Sequence, residues 1–339
     1  MFLFTSGVLS VMSEWFVGVD LGATNVRVAV GNRRGDILGK ISEATEKRRG
    51  PVGITNQVVR MIGSLRSHAR ADFVDKKICG IGIGSAGPLD LQRGGLVHPP
   101  NLPWEYVPLV EPLREAFHVP VQLLNDCTAA VMGEREFGGG KGFDNVVYVT
   151  ISTGIGGGVY VDGHLLIGKD GNAHEIGHMT IDLEGRLQCG CGKRGHWEAY
   201  CSGLNIPNYV RLLLEEEGET AKGSLLMKLT GNSAEKITTQ ILYETAKVGD
   251  ELSKRFVERI GELNAIGFAN IVNIYDPELI VVGGTVALKN QDLVIEPIGK
   301  WIEKYALNRL PEIRLTLLGE DVVLYGALAS IYLTSNHFK

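Results

Sequence analysis

Two stretches of the chain read alike, and their repetition limits the folds available. Residues 15–20 are an apolar run ending in Asp20, followed by a turn of Gly22, Ala23, Thr24 and Asn25 and an alternating strand pattern over 26–30; strand pattern then resumes over 36–41. Residues 146–151 are again an apolar run, followed by a glycine turn Ser152-Thr153-Gly154-Ile155-Gly156-Gly157-Gly158 and a strand over 159–161. A chain of 339 residues that carries this unit twice is expected to form two related α/β lobes, each presenting a phosphate-sized turn of backbone N–H groups. The smaller lobe is expected to comprise residues 13–122 with 322–339, and the larger 123–321. The 44 glycines mark many places where backbone turns tightly or approaches a neighbour or ligand closely.

Between and after the repeats the pattern alternates strands with helices. Residues 52–69 and 110–117 have helical periodicity, and 78–84 read as a buried strand followed by Ser85, Ala86, Gly87 and Pro88. The letters from Gly82 to Gly87 fit a dinucleotide fingerprint, but the turn-rich PLDLQRGG that follows supplies no helix for it. Gly87 therefore reads as part of a loop close to a small ligand, or as a structural turn. A strand over 121–124 delivers Asn125 and Asp126 at its end, and a helix is expected over 127–137. Asp126 there is either a helix cap or a catalytic group, and Cys127 a small buried residue. Helices are expected over 205–216 and 235–248, and Asp250 caps a long one running towards Tyr275. A strand over 279–282 leads into Gly283-Gly284-Thr285, another turn suited to a ligand, and 322–333 form a last helix. No GxxxxGK[ST] sequence occurs, which excludes a P-loop nucleotide site by motif.

The densest chemistry lies in HEIGHMTIDLEGRLQCGCGKRGHWE, from His174 to Glu198. Cys189 and Cys191 present two thiolates to one ion, and His178 and His196 complete a tetrahedral zinc set; scattered structural histidines and cysteines are the alternative. A closed four-ligand shell shapes a loop and does not catalyse, leaving Glu175 and Glu198 for other work. His174 to His178 also spells the HExxH of zinc proteases. That motif needs a helix, whereas Gly171, Asn172 and Gly177 interrupt one and MTIDLEG reads as strand and turn. The five cysteines, with one pair too close for an unstrained disulfide, suit a reducing, cytoplasmic compartment. A net charge of -5 offers no broad basic surface for nucleic acid and no polybasic membrane anchor, and no run is long enough to span a membrane. The opening MFLFTSGVLSVM lacks a basic region and a cleavage site, so no signal peptide is expected, and Met12 competes with Met1 as the start.

In their order, DLGATNVR, LLNDCTAA, STGIGGG, HEIGH with CGCGKRGHWE, and VVGGTVA resemble the signatures of the ROK family of sugar kinases and repressors. The resemblance implies a two-lobed actin-like, hexokinase-type (ribonuclease H-like) α/β ATPase fold with a structural zinc loop, and sugar and ATP in the cleft between the lobes. It implies Asp126 as general base, with Asn125, Glu175, His178 and Glu198 as sugar ligands. It also implies that Asp20, Gly22, Ala23, Thr24, Asn25, Thr153 and Gly154 grip phosphates with Mg2+, and that Gly283, Gly284 and Thr285 hold adenosine. His178 would serve twice, with one ring nitrogen on zinc and the other on a sugar hydroxyl. The implied reaction is phosphorylation of a hexose, glucose before fructose, mannose or an N-acetylated hexose, by ATP or another polyphosphate donor. An oligomer of identical chains is implied too. One residue departs from the pattern: His196 stands where the family usually has a third cysteine. A sugar-sensing repressor is disfavoured, because Asp20 lies too early to leave room for an amino-terminal winged helix.

Overall fold

The structure, a computed structural model, describes residues 14–68, 77–99 and 102–333. The alternative starts at Met1 and Met12 lie outside the described residues, as do Ala69 and residues 334–339. The described chain divides into two compact units, one formed by the residues up to Asp126 with those from Leu324 onward, the other by Cys127–Val323.

The first unit is built on a sheet of β1 (Trp15–Leu21), β2 (Asn25–Gly31), β3 (Ile37–Ala44), β4 (Ile78–Ser85) and, after a small meander of β5 (Leu89–Asp90), β6 (Gly95–Val97) and β7 (Tyr106–Pro108), β8 (Val121–Asn125). The order is β3-β2-β1-β4-β8, with β1, β2 and β3 antiparallel and β1, β4 and β8 parallel. β1 is buried along its whole length, as a central strand covered on both faces must be. Helix α1 (Pro51–His68) covers the sheet with Ile54, Val58, Met61, Ile62 and Leu65, a helical stripe that joins Val26, Val28 and Val30 in one core. A second helix, α2 (Val110–Phe117), adds Leu113.

The second unit has β9 (Val146–Ile151), β10 (Ile155–Val161), β11 (His164–Leu165), β12 (Leu279–Gly283) and β13 (Glu312–Leu315), in the order β11-β10-β9-β12-β13. Its antiparallel and parallel pairings follow the sequence seen in the first sheet. The duplication read from the two strand-turn-strand stretches is thus a duplication of topology. The helices of the second unit are α3 (Asp126–Phe137), α4 (Glu198–Cys201), α5 (Ile206–Glu217), α6 (Leu225–Leu229), α7 (Thr239–Lys247), α8 (Glu251–Tyr275), α9 (Thr285–Lys289) and α10 (Gln291–Trp301), while α11 (Val322–Leu333) returns the chain to the first unit from Leu324 onward. Asp250 caps α8 by accepting the Ser253 N–H at 3.0 Å.

Strand register decides where the loops fall. Leu21 lies opposite Ser85, and Ser85 opposite Asn125, so β1, β4 and β8 end together. The Gly22 turn, the Ala86-Gly87 loop and Asp126 therefore share one edge of the first sheet, the carboxyl edge at which open α/β sheets bind ligands. In the second unit Gly283 lies opposite Thr150, which brings the turns after β9 and β12 to one edge in the same way.

Three expectations change. The glycine turn expected over 152–158 is confined to Ser152, Thr153 and Gly154; the next three glycines belong to β10, which starts at Ile155. They are needed for packing. A Cβ on Gly156 would lie 2.7 Å from Cys127 Sγ, one on Gly158 2.1 Å from Cys127 O, and one on Gly157 2.6 Å from Ile176 Cδ1. The helix expected over 235–248 begins only at Thr239, because Thr238 caps it by accepting the Ile241 N–H and the residues before form a separate turn, Ala234–Lys236. The strand expected after His178 reduces to a single bridge of Thr180 with His196.

The last helix explains the glycines of β1 and β4. A Cβ on Gly18 would lie 2.7 Å from Leu324 O, and one on Gly82 1.8 Å from Ala327 O. Gly82→Ala is therefore expected to cost about 3 kcal/mol or more in denaturant unfolding, because backbone must move. Gly63→Ala, on the exposed face of α1 with nothing within 4 Å of its Cβ, is expected to stabilise by about 0.5–1 kcal/mol.

Candidate active site

In the first unit the turn between β1 and β2 is closed by Gly22 N–H donating to Asn25 O at 3.0 Å. Thr45 braces it from β3's far end, donating Oγ1–H to Gly22 O at 2.7 Å and N–H to Thr24 O at 2.9 Å. Ala23 is half-buried, and Thr24 and Asn25 are exposed. Asp20 is buried and forms an ion pair with Arg27, its register partner on β2. Ser85 Oγ donates to Leu21 O at 2.9 Å and ties the ends of β1 and β4 together. Gly87 is half-buried beyond it, where an added Cβ meets only Leu89 N at 3.6 Å. Asn125 closes β8, and Asp126 is the first residue of α3 and half-buried. A carboxylate in a first helical turn is stabilised by the helix dipole.

In the second unit Ser152 N–H donates to Gly154 O at 2.9 Å and closes the turn of Thr153 and Gly154. Glu198, at the start of α4, accepts Ile155 N–H on Oε2 at 2.9 Å, and a Cβ on Gly154 would lie 2.6 Å from that oxygen. Gly284 has φ of 90° and sits against the end of β9, where a Cβ would lie 2.5 Å from Ile151 O; Gly283 precedes it and Thr285 opens α9. The turns at 152–154 and 283–285 thus adjoin.

His178, Cys189, Cys191 and His196 come together, their donor atoms all within 4.8 Å of one another. Cys189 Sγ is 3.7 Å from His178 Nδ1, and Cys191 Sγ 3.3 Å from His196 Nδ1. The Cys189–Cys191 turn is shaped by Cys189 N–H donating to Lys193 O at 2.8 Å and Gly192 N–H to Cys189 O at 2.9 Å. Burial pushes the Cys189 thiol up to about 12 and lowers His196, with His178 adding to the latter. Both shifts disfavour the charged state, chiefly through burial, and a bound cation would reverse that preference for the thiol. The other nitrogen of His178, Nε2, faces the exposed Glu175 at 3.5 Å. Cys189 Sγ also lies 3.7 Å from Glu198 Oε1, which joins the second carboxylate to this cluster.

His174 and Cys201 are outside the group. His174 is buried, with Nε2 2.7 Å from Thr128 Oγ1, and Ile176–His178 is one short 3-10 turn, which does not provide a zinc-protease helix. Cys201 lies in the core, its thiol directed at Ile260 O at 3.7 Å and its pKa raised by burial. Sequence reading missed the anchor of the segment, Trp197. Its ring is fully buried, its Nε1–H donates to Asn264 Oδ1 at 2.9 Å, and Gly267 lets α8 lie against it. A tryptophan between His196 and Glu198 was the available signal. Arg27 was also missed; its place at the end of DLGATNVR, on the strand opposite Asp20, was the clue.

A ROK hexokinase of Thermus thermophilus superposes with a TM-score of 0.76, at 29% identity over 95% of this chain and 99% of that one. A ROK family glucokinase of Streptomyces griseus, in complex with glucose and AMPPNP, gives 0.72, at 30% identity over 93% and 98%. These likenesses define the fold as the two-lobed α/β fold of ROK sugar kinases. The glucokinase of Pyrobaculum calidifontis is 38% identical over 324 residues, 96% of this chain and 97% of that protein. The ROK family profile matches residues 16–329, and the chain belongs to the ROK family. No helix among the described residues is long and apolar enough to cross a membrane.

Proposed function

We infer that this protein is an ATP-dependent hexose kinase that converts glucose to glucose 6-phosphate. The observation that carries the reading is its likeness, over nearly its whole length, to glucokinases, one of them holding glucose and AMPPNP. Phosphoryl transfer of this kind is positioning and charge neutralisation more than covalent chemistry. Asp126 takes the proton of the attacking hydroxyl, and Asn125 beside it orients the sugar with the Gly87 loop. Glu175, His178 and Glu198 bind further hydroxyls. The turns at Gly22, Ala23, Thr24 and Asn25 and at Thr153 and Gly154 offer N–H groups to the phosphates, and Gly283, Gly284 and Thr285 border the adenosine. Magnesium bound with the nucleotide would neutralise phosphate charge, and Asp20, paired with Arg27, would hold it through water.

Zinc suits the four-donor cluster. A tetrahedral shell with Zn–S of about 2.3 Å and Zn–N of about 2.1 Å would set donor atoms roughly 3.4–3.8 Å apart; two sulfur–nitrogen pairs, at 3.7 and 3.3 Å, lie near that span, and the set as a whole, within 4.8 Å, would tighten to close on an ion. His178 has Nδ1 towards the cluster and Nε2 towards Glu175, so an ion held there would fix the ring for a sugar hydroxyl. An imidazole at 196 in place of thiolate makes the donor set one charge less negative and would still supply a fourth ligand to zinc.

The test of function is hexose-dependent ADP release with ATP and magnesium across glucose, fructose, mannose and N-acetylated hexoses; glucose is expected to give the highest kcat/KM. Asp126→Asn keeps size and first-turn polarity, so kcat is expected to fall at least about a hundred-fold with the thermal midpoint near wild type. Near-normal kcat would reduce Asp126 to a helix-terminal residue. Metal analysis is expected to find about one zinc per chain, weakened in His196→Ala and kept in His174→Ala. The latter should instead lose about 1–3 kcal/mol of stability with its buried hydrogen bond. Glu175→Gln should raise the KM for sugar far more than that for ATP; a change confined to ATP would remove this segment from the sugar site.

A further inference from the structure

The turn at residues 202–204 touches both nucleotide motifs of the second unit. Gly203 N–H donates to Ser152 O at 2.7 Å, and Leu204 N–H to Thr153 O at 3.2 Å. A Cβ on Gly203 would lie 2.7 Å from Ser152 O and 2.9 Å from Val286 Cγ2, so this backbone is wedged between the 152–154 turn and α9. A trans peptide points its N–H opposite its C=O. Tying down the carbonyls of Ser152 and Thr153 therefore orients the N–H groups of Thr153 and Gly154, those assigned to a phosphate.

What holds Gly203 in turn is a side chain from the start of α7: Thr239 donates Oγ1–H to Gly203 O at 2.7 Å. The neighbouring Thr238 has the ordinary duty at such a place, capping the helix by accepting Ile241 N–H at 3.2 Å. Thr239 is thus free of capping, and its hydroxyl continues a chain of contacts that ends at the phosphate turn. We propose that Thr239 is a positioning residue for the nucleotide: acting through Gly203, it sets the direction of the Thr153 and Gly154 N–H groups without touching the ligand. The proposal rests on the reading of the protein as an ATP-dependent kinase.

Thr239→Val keeps the shape and removes the donor. A net hydrogen bond is worth about 0.5–1.5 kcal/mol, so the KM for ATP and the Kd of magnesium-ATP by calorimetry without sugar should rise roughly three- to ten-fold. The KM for glucose at saturating ATP should stay within about two-fold, since the sugar ligands are held by other contacts. Thr239→Ser, which restores the hydroxyl, should bring ATP binding back. Thr238→Ala should lower the thermal midpoint and leave the Kd of magnesium-ATP unchanged, separating a weakened helix from a lost position. Unaltered ATP binding in Thr239→Val, no recovery in Thr239→Ser, or equal loss in Thr238→Ala would each overturn the proposal. Absence of hexose-dependent turnover in the wild type would overturn the kinase reading instead, while the calorimetric comparison would still decide the role of Thr239.

Discussion

Close backbone contact between helix and strand is the constraint on which the other features depend. α11 can approach β1 and β4 because Gly18 and Gly82 carry no side chain at the points where Leu324 O and Ala327 O lie. α3 can approach β10 because Gly156 and Gly158 leave room for Cys127. Interiors are packed to near-crystalline density, so a helix displaced by one methyl group shifts the strands it covers. The functional loops hang from the ends of those strands, Leu21, Ser85 and Asn125 in one unit and Ile151 and Gly283 in the other. Glycine therefore serves two ends in this chain, turning backbone at the ligand edge and thinning strands beneath the helices.

Those two uses look the same in a sequence. Ser152-Thr153-Gly154-Ile155-Gly156-Gly157-Gly158 reads as one long turn, yet all but its first three residues lie in β10. The long strands β1 to β4, β8, β9, β10 and β12 and the acid after β8 were legible because apolar runs broke sharply at polar or glycine residues, whereas the short β5, β6, β7, β11 and β13 were not read. The four-donor cluster of His178, Cys189, Cys191 and His196 was legible because CxC spacing brings two sulfurs together by geometry alone. Choosing among the histidines was harder. His174 and His178 are equivalent as letters, and what separates them is that the first is buried against Thr128 while the second faces the cysteines. Gly203 and Thr239 gave no signal, since one is joined to the turn at 152–154 through backbone atoms and to the other across 36 residues of chain.

The cluster segment also shows how a loop with little regular structure acquires a fixed shape. Between His178 and His196 the described chain has turns and single bridges, Thr180 with His196 and Gln188 with Arg194, and no strand. Its downstream end is fastened by Trp197, whose backbone N–H donates to Met179 O at 2.9 Å and whose ring is buried against α8. One side chain thereby fixes the backbone on both sides of it, His196 towards the cluster and Glu198 towards the turn after β9. An ion bound by four donors would close the remaining loop from within, which is the arrangement in which metal binding contributes most to order.

Glu198 occupies the meeting point of these parts. One of its oxygens accepts the Ile155 N–H, and the other lies beside Cys189, itself half of the CxC pair. A carboxylate has lone pairs enough to serve the turn and a further donor together, so the sugar hydroxyl proposed for Glu198 would not require it to move. Asn205 steadies the same helix from below, donating Nδ2–H to Glu198 O at 3.2 Å and to Ser202 Oγ at 3.0 Å. The cluster, the proposed sugar carboxylate and the turn after β9 are thus joined by successive hydrogen bonds within one unit, from residues 189–205 to Ser152 and Ile155. Any coupling between sugar and nucleotide carried by this path is bounded by the free energy of those few bonds, of the order of about 1 kcal/mol each. A path of that strength would tune affinity at most several-fold and would leave the chemical step to the groups that meet the substrate.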